Sequence, residues 1–172
     1  MLFRSGFRPA LRKAIMYRPA EPYSPVATDL RIERVGVEHA AGFADLCATL
    51  FAMPEPVKAL LAGTFTKPEW RQWMAFDGEV PVATKMTFIK DGVAWHGWNA
   101  TKASHRRRAA FAALNVAGAL EVVASGCRWM TTEANVGSSG SPDIVYRDDM
   151  KRGWRLAYER PVYLRAKRTA SR

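Results

Sequence analysis

At 172 residues and 48% hydrophobic content the chain is long enough for one domain with a real core. Its net charge of +10 sits at the ends: residues 1–20 hold five Lys or Arg and no acid, and residues 151–172 hold eight against the single acid Glu159. No apolar run approaches the roughly 20 residues of a membrane helix, which excludes a helical membrane span and argues against a membrane partner. Cys47 and Cys127 fit no metal or redox spacing and read as small core residues of a reduced, cytoplasmic protein. The histidines His39, His96 and His105 are scattered, so neither a metal site nor Ser-His-Asp chemistry is indicated.

In chain order, residues 1–28 read as a basic N-terminal strand and a Pro-rich linker, with Pro19, Pro22 and Pro25 excluding regular structure from Arg18 to Thr28. Asp29 to Val35 alternates like a half-buried strand. A helix is expected from Val37 to Phe51, with Ala40, Phe43, Ala44, Cys47 and Leu50 on one face. Pro54 and Pro56 suit the first turn of a second helix. Trp70 to Phe76, Asp77-Gly78 and Val80 to Ile89 read as a hairpin, and Asp91-Gly92 turns into a third strand, Val93 to Thr101. Alternation places Ala94, His96 and Trp98 on one face of that strand and Val93, Trp95 and Asn99 on the other.

A basic turn, His105-Arg106-Arg107-Arg108, then opens an Ala-rich helix that runs to about Ala124 and is stopped by Gly126. A strand from Cys127 to Thr132 follows. Next come a Gly/Ser loop, Gly137 to Ser141, and a short helix from about Pro142 to Arg152 with Asp143 near its start. Gly153 ends that helix, and two strands close the chain, Trp154 to Tyr158 and Pro161 to Leu164. The basic turn is the stretch that carries chemistry. A helix N-terminus leaves its first N–H groups unpaired and carries partial positive charge, and a helix entered from a strand puts that anion site at the sheet's edge.

Several pieces in this order resemble a bacterial subgroup of the GNAT superfamily of N-acetyltransferases: AFDGEVPVA, DGVAWHGWNAT, HRRRAA, GCRWMTTE and YRDDMKRGWRLAYERPVYL. Arg106 to Phe111 holds the register of the family's Gln/Arg-x-x-Gly-x-Gly/Ala turn, with Ala109 and Phe111 where small residues, the first of them Gly, are usual. Ala109 matters only if its position requires positive φ or very close approach of a phosphate. The resemblance implies an α/β GNAT fold, a mostly antiparallel twisted sheet with helices on both faces, over residues 29–166, followed by a basic tail, 167–172. It also implies a shortened version of the subgroup's chain, whose exposed surface a homodimer would cover.

What the resemblance implies for function is N-acetylation: an acetyl group moves from acetyl-CoA, the cosubstrate, to a small-molecule or protein amine by direct attack in a ternary complex. Cofactor contacts are then expected at Trp98, Asn99, Ala100 and Thr101 and at Arg106, Arg107, Arg108, Ala109 and Ala110. Amine acylation needs a base, and Glu133 at a strand end and His96 compete for that role. The position where many GNATs carry an acidic Tyr holds Asp149, and Tyr146 just upstream matches a Tyr of the subgroup. Two rival readings are a GNAT-fold binding or regulatory module without catalysis, motivated by the missing cradle glycine, and a nucleic-acid-binding protein, motivated by the basic ends. Nothing in the chain reads bases, which puts nucleic acid last among partners.

Overall fold

A computed structural model describes residues 6–136 and 144–165. The Gly137 to Ser141 loop, Pro142, Asp143 and the 167–172 tail lie outside the described residues. The chain forms two compact units, one of residues 19–131 and one drawn from residues 1–18 and 132–172.

The larger unit is an antiparallel meander. Its strands are β2 (Arg31–Val35), β3 (Trp70–Asp77), β4 (Val80–Lys90) and β5 (Val93–Thr101), numbered after β1 (Phe7–Pro19) of the other unit. Asp91 and Gly92 both take positive φ, 49° and 75°, the signature of a two-residue turn whose twist matches the strands. Apolar residues point alternately to two faces. Val35, Met74, Phe76 and Met86 meet Phe43, Ala44 and Cys47 of α1 (Ala40–Leu50) and Leu61 of α2 (Pro56–Gly63). Ala75, Val82 and Ala83 meet Ala110 and Leu114 of α3 (Ala110–Ala124) on the other face. Helices therefore cover both faces, as expected. Val37–His39 is a 3-10 turn rather than the start of α1, because the His39 N–H donates to Gly36 O while Glu38 Oε1 takes up the Gly36 N–H.

The strand after α3, β6 (Trp129–Val136), begins two residues later than the sequence suggests. The Cys127 N–H donates to Val122 O and Gly126 N–H to Val123 O, a Schellman closure that keeps Cys127 in the cap. Gly126 supplies the left-handed φ of 72°. Contacts of Arg128 with Gly92 and of Thr131 with Ala94 advance in the same direction, so β6 starts parallel to β5.

In the smaller unit β1 lies between the rest of β6 and β7 (Arg155–Arg165). It pairs antiparallel with β7 from Phe7 opposite Arg165 to Tyr17 opposite Arg155. The two closing strands expected from Pro161 are one continuous strand, with Pro161 opposite Arg12. β7 is the last strand in the order, and at an edge the missing proline N–H leaves no ladder bond unmade. The short helix α4 (Ile144–Lys151) ends at Gly153, whose φ is 85°.

Candidate functional site

Pairing of β5 ends where Lys102 N–H donates to Val82 O, and a 3-10 turn, Ala103–His105, redirects the chain. Arg107 and Ala109 then take positive φ, 69° and 60°. Arg108 between them does not, so φ alternates in sign along the turn, the pattern that aims successive N–H groups into one concavity. Ala109 is the residue before α3 and has no side-chain oxygen to cap it; no acid stands in the first turn. The first N–H groups of a 15-residue helix thus have no side-chain cap. Ala109 does occupy the left-handed conformation (φ 60°, ψ 10°), so alanine in place of glycine carries strain there.

The three arginines diverge. Arg106 and Arg107 are exposed, and neither forms an ion pair among the described residues. Arg108 turns back onto the protein, donating to Asp29 and Asp77. Those bonds hold the Asp29 carboxyl below its usual range and bring that of Asp77 down to about 2, with His105 a second cause at Asp77. The Arg108 pair with Asp77, then that with Asp29, raises the guanidinium's own pKa. Its side chain is thus engaged by two carboxylates rather than standing free at the turn.

β5 is interrupted by a bulge. Thr84 is opposite Ala100 and Met86 opposite Gly97, so Trp98 and Asn99 together face Lys85. Trp98 takes φ 53°, and its carbonyl accepts from Thr84 Oγ1 at 3.0 Å. The extra residue breaks the alternation expected from sequence: Trp98 packs with Met86 and the α1 cluster and meets the Phe51 ring edge-on at 5.3 Å, whereas His96 is paired with Thr87 on the opposite face. Asn99 faces α3. Its Nδ2 is 3.5 Å from Asn115 Oδ1, which accepts from the buried Lys85 Nζ at 2.9 Å. Asn99 Oδ1 and Thr101 Oγ1 are buried without a partner among the described residues. Ala100 and Thr101 stay in the β4 ladder, opposite Thr84 and Ala83.

The base and acid candidates are placed as follows. His96 is 3% exposed, with Nδ1 3.1 Å from Thr87 Oγ1, a core histidine. Glu133 belongs to the smaller unit, where Oε1 takes Lys13 Nζ and Oε2 takes Arg160 Nη2 at 2.9 Å. Tyr146 is half-buried on α4 of the same unit, and Asp149 on that helix is buried.

No protein-family model and no curated protein matches the chain. Solved structures do. A GCN5-related N-acetyltransferase from Sphaerobacter thermophilus superposes with a TM-score of 0.72 at 19% identity, over 94% of this chain and 53% of that one. The fold is that of the GNAT N-acetyltransferases. An aminoglycoside acetyltransferase from an uncultured soil metagenomic sample, in complex with sisomicin, gives 0.56 at 16% identity over 72% of this chain and 86% of that one. A predicted acetyltransferase with acetyl-CoA from Clostridium acetobutylicum gives 0.56 at 9% identity, over 70% and 88%. The chain spans 53–62% of the length of the first three solved chains it matches.

Sequence reasoning missed the residues that hold this turn and its surroundings. Asp77 was absorbed into the hairpin's turn chemistry and Asp29 into the start of a strand, although both carboxylates reach Arg108. Lys85 and Asn115 carry no local signal; only a buried lysine opposite a helical asparagine in the folded chain reveals them.

Proposed function

We propose that the chain binds an acyl-CoA at the Arg106 to Ala110 turn and transfers its acyl group, acetyl in the simplest case, to an amine. The observation that carries this is the uncapped first turn of α3, preceded by backbone of alternating φ sign and two arginines that form no ion pair among the described residues. The N–H groups of Ala109 and Ala110 with the Arg106 and Arg107 side chains would hold the pyrophosphate. Bound, the cosubstrate supplies the acetyl group as a thioester. The acceptor nitrogen must shed a proton before it replaces sulfur on the acetyl carbon. Glu133 is the candidate base, with one lone-pair site on each oxygen already taken by a cation and others left. His96, buried and paired with Thr87, is the weaker candidate. Tyr146 is a further candidate at the site, the thiolate can leave without an acid because its own pKa is moderate, and the acceptor is a small-molecule or protein amine.

Calorimetry with acetyl-CoA, free CoA and inorganic tripolyphosphate on wild type and Arg106→Ala tests the reading. Saturable binding of the CoA species, weakened by the substitution and not matched by tripolyphosphate, supports it. Equal binding of every polyanion, or none, refutes it. The double pairing of Glu133 favours one rival, a GNAT-fold module that binds CoA without turnover. Turnover with an amine panel that Glu133→Gln abolishes and His96→Gln spares would exclude it.

A further inference from the structure

Arg108 stands in the register of a phosphate ligand, yet all three of its guanidinium nitrogens donate elsewhere. Nε lies 3.1 Å from each Asp29 oxygen, and Nη2 also donates to Asp29 Oδ2. Nη1 donates to Asp77 Oδ2 at 2.7 Å and Nη2 to Asp77 Oδ1 at 3.2 Å. All three nitrogens are used in fork geometry on two carboxylates, an arrangement that suits the planar guanidinium and not an ammonium. The main chain of the same residue is held as well: Thr28 Oγ1 donates to Arg108 O at 2.8 Å and accepts from the Leu30 N–H at 3.2 Å. On the other side, His105 Nε2 meets Asp77 Oδ2 at 3.1 Å, and its Nδ1 meets Ser104 Oγ at 2.8 Å.

The turn is therefore fastened at Ser104-His105 and at Arg108, while Arg106 and Arg107 stand out from it. The fastened residue is flanked by Arg107 and Ala109, two non-glycine residues in the left-handed region. Such conformations persist where the surroundings over-determine them. The bonds to β2's approach and to the β3–β4 turn supply that determination, and no glycine does.

We propose that Arg108 is a positioning residue, and that Asp29 and Asp77 act through it to hold the turn in its anion-binding shape. The inference rests on the acyl-CoA reading of this turn. It makes a prediction opposite in sign to simple electrostatics. Asp77→Asn removes a negative charge close to a phosphate site and frees part of a guanidinium, so if Arg108 served as a ligand, CoA binding would tighten. If Arg108 is a strut, the same substitution loosens the turn and weakens binding.

The test is calorimetric titration of CoA into wild type, Asp77→Asn, Asp29→Asn, Arg108→Gln and Arg108→Lys, with each variant's circular dichroism compared with wild type at the titration temperature. The expected result is a fold-like spectrum with CoA affinity lowered about 5- to 10-fold by either aspartate substitution. Arg108→Gln should lose more, since it takes the guanidinium from both carboxylates and leaves Asp77 only its His105 contact, and Arg108→Lys should not rescue it, because one ammonium cannot fork onto two carboxylates. Asp29→Asn repeats the question from the second carboxylate should Asp77→Asn fold poorly. Wild-type binding that the aspartate variants leave unchanged or tighten overturns the inference alone. Absence of CoA binding by wild type overturns the acyl-CoA reading and takes the inference with it.

Discussion

Ala109→Gly and Ala110→Gly are adjacent substitutions of the same residue type, and the structure gives them opposite signs. Ala109 sits at φ 60° and ψ 10°, where a Cβ costs about 1–2 kcal/mol. Glycine removes that strain but adds about 0.5–1 kcal/mol of chain entropy to the unfolded state. The net is a gain of about 0.5–1 kcal/mol, or roughly 1–4 °C in Tm for a chain of this size. Ala110 is the first residue of α3, 2% exposed and packed against Ala83 and Leu114. Glycine there forfeits up to about 1 kcal/mol of helix propensity and about 0.8 kcal/mol for the buried methyl, so a loss of about 1–2 kcal/mol follows. Urea unfolding of both variants and wild type, with m checked for constancy, measures the two signs. Destabilisation of Ala109→Gly by as much as Ala110→Gly would show that residue 109 is not left-handed in solution, and the account of the turn would fail with it.

Other outcomes follow from single features. Asp77 has a folded-state carboxyl pKa of about 2 against an ordinary 3.8, pulled down first by Arg108 and then by His105. Its contribution to stability is complete above pH 4 and fades as pH falls toward 2; acid unfolding should therefore show wild type and Asp77→Asn converging only below pH 4, and convergence near neutrality would contradict the pairing. Burial pushes the Cys47 thiol up to about 11, so iodoacetamide at pH 8 should label Cys47 only at the rate of unfolding, and rapid labelling of folded protein would refute its burial. The Trp95 ring lies where a Cβ on Gly97 would stand. Gly97→Ala should displace it from its edge contact with Trp70, change the near-UV circular dichroism and cost about 1–2 kcal/mol, whereas an unchanged spectrum would rule out that packing.

The parts of the fold legible in the sequence are those fixed by neighbours along the chain. Asp91-Gly92 announces a tight turn, Pro56 a helix start, Gly126 and Gly153 helix ends, and each does so because its own backbone preference selects the conformation. The parts that were not legible depend on partners far away or on residues without a conformational signature. The bulge at Trp98-Asn99 moves a tryptophan to the other face, and nothing in strict alternation marks where an extra residue enters. Pro161 reads as a break until its strand is known to lie at an edge. Alanine advertises no left-handed preference, so Ala109 passes as the first residue of an ordinary helix.

The same limit governs charge. Three consecutive arginines look like a strongly cationic anion trap, but Asp29 and Asp77, 79 and 31 residues away in sequence, consume one of them entirely. With the two carboxylates counted, the turn and its clamp carry a single net positive charge when His105 is neutral. What would remain for a phosphate on the proposed reading is mostly geometry: helix-terminal N–H groups on backbone of fixed shape, with Arg106 and Arg107 adding charge at the rim. Hydrogen bonds from a preset backbone are screened far less by salt than exposed guanidinium groups. On the proposed reading the clamp would trade cationic strength for shape, with Asp29 and Asp77 holding Arg108 between two residues of positive φ.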